Sequence, residues 1–376
     1  MTRIALIEMW RSRAQYGPIV AALSLIVFLV FVLSALADGL FAGQTEALTT
    51  SDAQVQVFDD ASRDSLPQST LDPNVAEQIE AVENVDAVGE LSVLLGGADA
   101  PTGEFDVALF GFAPDSPGGP TTLASGVLPA AGGQEVVAID RTLATEKGVS
   151  IGDTVRFAGS ETELEVVGIV ERTRFSLQPS LWVPTDQFRA IRSEVRPETR
   201  SDPDAVGGMP VRIHDDADPG EVAEDIASEV DGISAVTTDE AVRSIPGVAQ
   251  QAITLQSVII ATYLVAALVI TLFFALITLE KRTLLAMLKA LGGSTRSLGA
   301  GLVIQALVSA GAALVLGGLM TAGVIAVVRG TVPVQLDPTT IASVIPATLV
   351  TAAVGAALSY RRVSRVDPAS ALGGTL

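Results

Sequence analysis

Four long stretches of the chain carry no charged residue, and each is apolar enough to form a membrane-spanning helix. The stretches lie between Arg13 and Asp38, between Arg243 and Glu280, between Arg296 and Arg329, and from Pro338 to Tyr360. A helix needs about 20 apolar residues to cross the ~30 Å hydrocarbon core of a bilayer. The apolar part of the first stretch, 19–37, is too long for the core of a cleavable signal peptide. The pattern therefore predicts four transmembrane helices, because the alternative of buried helices in a soluble protein would require a very large core.

Between the first two stretches, short strand patterns alternate with amphipathic helix patterns. Residues 53–60 alternate like a strand and 106–112 form a buried apolar run, whereas 73–85 and 217–231 have helical periodicity. Two strand–helix–strand units are typical of an open layer of helices on a sheet. We therefore expect a membrane protein with four transmembrane α-helices and a large α+β extracytoplasmic domain inserted between the first and the second.

Charge orients these segments across the membrane. Basic residues dominate both chain ends and the loop between the second and third stretches, and Lys and Arg close to a span stay in the cytoplasm. The segment from Asp38 to Arg243 holds 39 acidic and 12 basic residues, within a net charge of −20 for the chain. We expect a multi-pass protein of the plasma membrane with both termini cytoplasmic and the acidic domain extracellular.

Nine segments follow from these patterns. They are a cytoplasmic N-terminal helix (1–17), transmembrane helix 1 (18–44), the extracytoplasmic α+β domain (45–250), transmembrane helix 2 (251–280), a cytoplasmic loop (281–297), transmembrane helix 3 (298–328), an outer loop (329–337), transmembrane helix 4 (338–360) and a cytoplasmic tail (361–376).

Composition argues against several kinds of site. The chain has no cysteine, and a single histidine, His214, cannot form a multi-histidine metal site. A net charge of −20 disfavours nucleic acid. The sequence has neither a G-x-x-x-x-G-K-[ST] loop nor a G-x-S-x-G elbow. We expect no catalytic residue, metal or cofactor in this chain, with any ATP and Mg²⁺ bound by a separate subunit.

Small residues crowd the third and fourth stretches. Gly318 and Ala322 are four residues apart, as are Ala352 and Ala356. Helices approach each other closely where small residues recur at this spacing. We expect both pairs at contacts between helices of one subunit.

The layout of one span, a large domain and three further spans resembles the MacB/FtsX/LolC type of ABC transporter permease. The segments 125–170 and 180–191 are similar to the extracytoplasmic domain of that family, and 280–298 and 360–372 are similar to its cytoplasmic loop and tail. Within the family, 105–126 and the first span resemble the haem-exporter permeases of the HrtB type. The resemblance implies a homodimer that works with two copies of an ABC ATPase subunit and contacts membrane lipid.

The resemblance also assigns the cytoplasmic loop to the contact with the ATPase. A short helix there has leucines on one side and ends at a glycine pair, which suits a rigid lever in a groove of a partner. The alternative is an ordinary basic loop that obeys the positive-inside rule. The predicted coupling residues are Lys281, Arg282, Leu284, Leu285, Leu288, Lys289, Leu291 and Gly292.

Polar and aromatic residues of the first two spans are candidates for a substrate cavity. Polar groups at membrane depth usually face protein or a cavity rather than lipid. Tyr263 could ligate haem iron, although a tyrosine at this position also suits an interfacial anchor. The candidate cavity residues are Phe31, Asp38, Gln44, Gln251, Gln256 and Tyr263.

Two functions from different classes remain open. The first is the permease subunit of an exporter, in which an amphipathic or lipophilic compound, with haem as one candidate, enters laterally from the membrane. The second is an FtsX-like subunit that transmits ATPase motion to an extracellular cell-wall hydrolase. Both depend on a separate ATPase subunit.

Overall fold

The computed structural model describes residues 13–132, 135–198, 202–245, 247–280, 295–328 and 333–363. The chain forms two compact units, and the boundaries between them fall inside two long helices. We call residues 1–39 with 252–376 the membrane unit and residues 40–251 the inserted unit.

Four long helices within the described residues are apolar enough to cross a membrane, as the charge pattern predicts. They are α1 (Arg13–Thr49), α7 (Val248–Glu280), α8 (Thr295–Val328) and α9 (Pro338–Val363). At 1.5 Å per residue, even the 26 residues of α9 exceed the thickness of the hydrocarbon core. Helix α1 continues five residues beyond the predicted end of the first span, into the inserted unit.

Helix α1 supplies much of the core of the membrane unit. In its most apolar stretch 44% of the residues are buried, against 17% in α7 and α8 and 22% in α9. Val27, Val30 and Phe31 of α1 pack with Ile270 and Phe274 of α7 in one apolar cluster. The membrane unit is therefore organised around α1, and the other three helices keep most of their surface exposed within one chain.

Two glycines allow the closest helix contacts of this unit. A Cβ at Gly317 of α8 would lie 2.8 Å from Val27 Cγ1 and 3.0 Å from Ser24 O, both on α1. A Cβ at Gly355 of α9 would lie 2.8 Å from Ile270 Cγ2 on α7. Ala352 and Ala356 are fully buried, which confirms the second predicted pair. The first pair was wrong, because Gly318 has no atom within 4 Å of its would-be Cβ and Ala322 is exposed.

The segment that leads into α9 lies against the end of the first span. Gln335 N donates to Ala35 O at 3.0 Å, and Asp337 N donates to Asp38 Oδ2 at 3.3 Å. Because this segment connects two spanning helices, residues 35–39 of α1 lie at the same membrane boundary as the α8–α9 connection.

A four-stranded antiparallel sheet with two helices forms one part of the inserted unit. Its order is β11-β1-β10-β2. The chain runs strand–helix–strand twice, as predicted, in the arrangement called ferredoxin-like. The elements are β1 (Val55–Asp59), α2 (Val75–Glu80), β2 (Val85–Val88), β10 (Met209–Ile213), α5 (Pro219–Glu229) and β11 (Ile233–Thr237).

The predicted helix over 73–85 is much shorter than expected. Helix α2 ends at Glu80, and a turn through Asn84, whose φ is 68°, leads directly into β2. Ile79 and Val82 are buried as the helical pattern required, but Val82 is already in the turn. Periodicity located the buried side chains correctly and could not detect that the last turn is irregular.

A seven-stranded sheet is inserted between β2 and β10, with the order β5-β8-β6-β9-β4-β3-β7. Strand β7 also pairs with β8, so this sheet closes on itself instead of forming the predicted open layer. Strands β3 and β4 form a long antiparallel hairpin, whereas β4 pairs with β9, and β6 with β8, in parallel. Its elements are β3 (Leu91–Ala100), β4 (Gly103–Phe112), β5 (Leu123–Gly126), β6 (Val136–Asp140), α3 (Arg141–Glu146), β7 (Thr154–Phe157), β8 (Glu163–Val170), β9 (Ser180–Pro184) and α4 (Thr185–Val195).

An aromatic core connects the two sheets. Phe110 stacks on Trp182 with ring centroids 4.4 Å apart, and Phe112 meets Trp182 edge-on at 5.8 Å. Phe58 of β1 and Leu48 of α1 belong to the same buried cluster. Helix α6 (Thr238–Ser244) and the first turn of α7 also contribute to it.

Candidate functional site

The eight residues predicted to couple to an ATPase lie between 281 and 294, outside the residues that the structure describes. Their assignment stays a prediction. Most of the cytoplasmic N-terminal helix and of the tail also lies outside the described residues.

The six predicted cavity residues are divided between the two units of the chain. Two of them fall in the inserted unit and four in the membrane unit, where their surroundings differ. Gln44 and Gln251 are in the inserted unit, and Phe31, Asp38, Gln256 and Tyr263 are in the membrane unit.

Gln44 and Gln251 meet directly. Gln44 Nε2 donates to Gln251 Oε1 at 3.0 Å and to Leu40 O at 3.1 Å. The bond ties the last turns of α1 to the first turn of α7 across 207 residues of sequence. The two amides are therefore hydrogen-bonded to each other, at the point where the inserted segment begins and ends.

Phe31, Asp38 and Gln256 have three different environments. Phe31 is 6% exposed and belongs to the apolar core around α1. The Asp38 carboxylate accepts the backbone N–H of Asp337. Gln256 is exposed on α7 and makes no hydrogen bond to another described residue.

Tyr263 lines a small cavity in the membrane unit to which all four helices contribute. The walls include Val27 and Val30 of α1, Ala266 of α7 and Ala313 of α8. The Tyr263 hydroxyl is buried without a hydrogen-bond partner among the described residues. The other hydroxyls at the walls are those of Thr348 and Thr351, which donate to the carbonyl oxygens of Val344 and Ala347 one turn earlier, each at 2.8 Å.

The size of this cavity decides what it can hold. Its volume is about 20 Å³, close to that of one water molecule. Pockets for drug-sized ligands measure about 300–1,000 Å³. An amphipathic compound therefore does not fit in this cavity in this conformation.

Helix α7 instead presents a long apolar surface. Leu264 is 68% exposed, Leu268 69% and Leu272 58%. Gln256 lies on the same helix at membrane depth, where an amide facing lipid is costly. The hydroxyls of Ser257 and Thr262 donate to the carbonyl oxygens four residues before them, so they do not need another partner. This surface therefore combines exposed leucines with an exposed amide.

Glu240 and His214, two further polar residues of the inserted unit, are part of ordinary local structure. The Glu240 carboxylate accepts both the backbone N–H and the hydroxyl of Thr237, at 3.0 and 2.9 Å, in a capping box at the start of α6. These hydrogen bonds lower the pKa of Glu240 below its ordinary value. His214 is exposed directly after β10, and its backbone N–H donates to Asn84 O. No group of three His, Asp or Glu side chains among the described residues could hold a metal ion.

One buried polar pair escaped the sequence analysis. The Tyr16 hydroxyl donates to Gln305 Oε1 at 2.9 Å, and the two residues are 3% and 6% exposed. The bond connects the first turn of α1 to α8. Gln305 is the one amide in the uncharged third stretch, and that isolation could have identified it.

Comparisons with known proteins cover both units. Residues 19–229 match the family described as MacB-like periplasmic core domain, and 257–368 match that described as FtsX-like permease C-terminal. The chain is 24% identical over 365 residues to the "Putative hemin transport system permease protein HrtB" of Staphylococcus haemolyticus, covering 96% of each protein. It is 29% identical over 373 residues to an "Uncharacterized ABC transporter permease" of Mycobacterium tuberculosis, covering 97% of each.

Among solved structures, the periplasmic region of MacB from Actinobacillus actinomycetemcomitans is similar to half of this chain. The similarity covers 50% of this chain and 90% of that one, with 14% sequence identity and a TM-score of 0.36.

Proposed function

Because this chain belongs to the MacB/FtsX family of ABC transporter permeases, we propose that it is the membrane-spanning subunit of an exporter for an amphipathic or lipophilic compound. The observation that carries the proposal is the pair of family matches. Together they cover the inserted unit up to residue 229 and extend over parts of all four spanning helices. Such a layout joins a domain on one side of the membrane to helices that can move it.

A separate ATPase subunit drives the exporter in this proposal. The coupling residues 281–292 follow α7 directly in the sequence, and α8 begins at Thr295. Closure of the ATPases around ATP would push on this segment and tilt the helices on either side of it. In this proposal the segment and both termini lie in the cytoplasm and the inserted unit lies outside, which the basic flanks of the spans support.

Two copies of the chain would form the transport route. The exposed face of α7 carries Leu264, Leu268 and the amide of Gln256. Packing against a second copy would cover these leucines and give the amide a polar neighbour, its own symmetry mate. The cavity beside Tyr263 is too small for the substrate, so the substrate would lie between the two copies.

Haem is the substrate class that we propose. The relatives named as hemin transport permeases support it, with 24% identity over nearly the whole of one of them. Hemin has a broad apolar ring with two carboxylates at one edge, so it partitions into the bilayer and can reach α7 laterally. Tyr263 of α7, whose hydroxyl is not hydrogen-bonded within the described residues, is the candidate iron ligand if the helices part.

Co-expression with a candidate ABC ATPase subunit from the same genome tests the coupling step. The wild-type chain should co-purify with the ATPase and stimulate its ATP hydrolysis, and Leu288→Asp with Leu291→Asp should abolish both. Ile151→Asp, at a position that is 46% exposed in the inserted unit, is the control and should leave both intact. Undiminished co-purification of the double variant would contradict the proposed lever.

Hemin sensitivity tests the substrate. Cells that lack the chain should stop growing at hemin concentrations that the parent strain tolerates, and the wild-type gene should restore growth. Unchanged sensitivity, together with a cell-wall hydrolase that binds the inserted unit of the full chain, would favour the regulatory function instead.

A further inference from the structure

The loop between β8 and β9 is fixed to the last turns of α1. Leu177 N donates to Gly43 O at 2.8 Å, and Ala47 N donates to Arg174 O at 3.0 Å. Phe175 and Gln178 exchange two backbone hydrogen bonds, of 3.0 and 2.9 Å, which close the tip of the loop. We call residues 172–178 the Leu177 loop. It is a rigid attachment to the helix rather than a free connection.

Leu177 has an unfavourable conformation at the tip of this loop. Its φ is 65°, in the left-handed region that bulky residues rarely adopt, and Ser176 beside it has a φ of 52°. The side chain is nevertheless 48% exposed, so burial within the protein does little to offset the strain. Phe41, on the adjoining turn of α1, is 43% exposed as well. Strained and exposed apolar residues together suggest a surface that is covered in the assembled system.

Counting along α1 gives the depth of the loop relative to the membrane. Residues 35–39 lie beside the connection between two spanning helices, which marks the membrane boundary. Gly43 is one turn beyond Gly39, or about 6 Å at 1.5 Å per residue. The headgroup layer extends about 5–8 Å beyond the hydrocarbon core on each side. Gly43, and Leu177 bonded to it, therefore fall within the headgroup layer.

The charges around the loop suit a lipid surface. Glu46 is 3% exposed and pairs with Arg174 at 3.0 Å and with Arg172 at 3.8 Å. Two guanidinium groups against one carboxylate leave a local excess of positive charge, although the segment from Asp38 to Arg243 is strongly acidic. The Arg172 side chain is 62% exposed and can reach beyond Glu46.

We propose that the Leu177 loop is a lipid-contact site, in which Leu177 inserts among the lipids of the leaflet that faces the inserted unit and Arg172 binds phospholipid phosphate. The inserted unit then rests on the bilayer at a second point besides its two helices. Leucine at the boundary and arginine at the phosphates is the arrangement typical of interfacial anchors. One face of the Leu177 side chain lies against Gly43 of α1, and 48% of the residue stays exposed.

The absence of cysteine from the sequence allows a direct test. Leu177→Cys is labelled with an environment-sensitive fluorophore, and the full chain is reconstituted into vesicles of phosphatidylcholine and phosphatidylglycerol. Ile151→Cys is the matched control, because Ile151 is 46% exposed in the same unit. Nitroxide lipids labelled near the headgroup should quench the label at 177 several-fold more than the label at 151, and iodide should do the reverse.

A second variant tests the phosphate contact. Arg172→Gln in the Leu177→Cys background should reduce the lipid quenching, and replacing phosphatidylglycerol by phosphatidylcholine should have a similar effect. Equal quenching of both labels by iodide would overturn the proposal. A label at 177 that neither quencher reaches would also overturn it, because the loop would then be covered by protein.

Discussion

Gly317 lies where α8 crosses α1, and a larger residue does not fit there. Its Cβ would meet Val27 Cγ1 at 2.8 Å and backbone atoms of Phe28 and Ser24 at 3.0 Å. Backbone cannot move aside as a flexible side chain can. Gly318, the next residue, has nothing within 4 Å of its would-be Cβ. The two adjacent glycines therefore form a natural matched pair.

We predict opposite effects for alanine at these positions. Gly317→Ala should destabilise the protein by about 1–3 kcal/mol through overpacking. Gly318→Ala should be neutral or stabilising by up to about 1 kcal/mol, because alanine is the better helix former. Thermal unfolding of both variants in the same detergent measures the difference. Equal midpoints would show that α8 does not approach α1 as described.

The sequence predicted that small residues form these helix contacts, but it did not show which positions along the helices meet. The abundance of small residues predicted close packing, and Ala352 and Ala356 are buried accordingly. The choice of Gly318 over Gly317 was wrong because a helix that is apolar on all sides gives no periodicity to show which face is inside. The glutamines of the two units also show that the sequence does not reveal which side of a helix a residue occupies. Gln44 and Gln251 bond to each other, whereas Gln256, five residues further on, is exposed.

Helix α6 is the short element that leads from β11 toward α7. The Thr237 hydroxyl accepts the backbone N–H of Glu240 at 3.3 Å, and the Glu240 carboxylate bonds back to Thr237. Both groups satisfy donors that a helix start leaves unpaired. Because α6 is only seven residues long, its caps contribute a large share of its stability.

Loss of this cap should have a measurable cost. We predict that Thr237→Ala lowers the free energy of unfolding by about 1 kcal/mol, the usual contribution of an N-cap. Thr237→Ser keeps the hydroxyl and serves as the control, so it should retain most of the stability. Denaturant unfolding followed by circular dichroism compares the three proteins. An alanine variant as stable as the wild type would mean that the capping box does not stabilise α6.

The same box predicts a pH dependence. The hydrogen bonds from Thr237 lower the pKa of Glu240 in the folded state, so this carboxylate contributes stability above its ordinary pKa of 4.5. That stability is lost as the pH falls from 4.5 through the folded-state pKa. Glu240→Gln should therefore reduce the slope of stability against pH in this acidic window. An identical slope in wild type and variant would contradict the assignment.

Elements with strong periodicity were predictable, and their connections were not. The strand over 53–60 and the helix over 217–231 correspond to β1 and α5, because each buries one face at its regular spacing. The closure of the seven-stranded sheet depends on β7 pairing with β8 while β3 also pairs with β7. Such long-range pairing leaves no local pattern in the sequence. The Leu177 loop was likewise unpredicted, since its strained residues are not glycines.

At the scale of the whole molecule, α7 combines a largely exposed apolar surface with the exposed amide of Gln256. Only 17% of its most apolar stretch is buried, and leucines are exposed along much of its length. Lipid can cover leucine, but it cannot bond the amide of Gln256. A second copy of the chain would provide both kinds of contact, and the proposed substrate route lies between the copies.

Cross-linking in native membranes tests this pairing. Because the chain has no cysteine, a single Gln256→Cys variant should form a cross-linked dimer under mild oxidation. Val327→Cys is the control, since Val327 is 83% exposed on α8 instead of α7. More cross-linking at 327 than at 256 would show that α8, and not α7, meets the second copy.

Transport in a defined system tests the central claim most directly. The chain and its ATPase are reconstituted into proteoliposomes loaded with hemin in the bilayer, and hemin transferred to an acceptor protein is measured after ATP is added. Hemin transfer should require ATP and both proteins, and Leu288→Asp with Leu291→Asp should abolish it. Vigorous ATP hydrolysis by the wild-type complex with no transfer of hemin would contradict the assignment as a haem exporter.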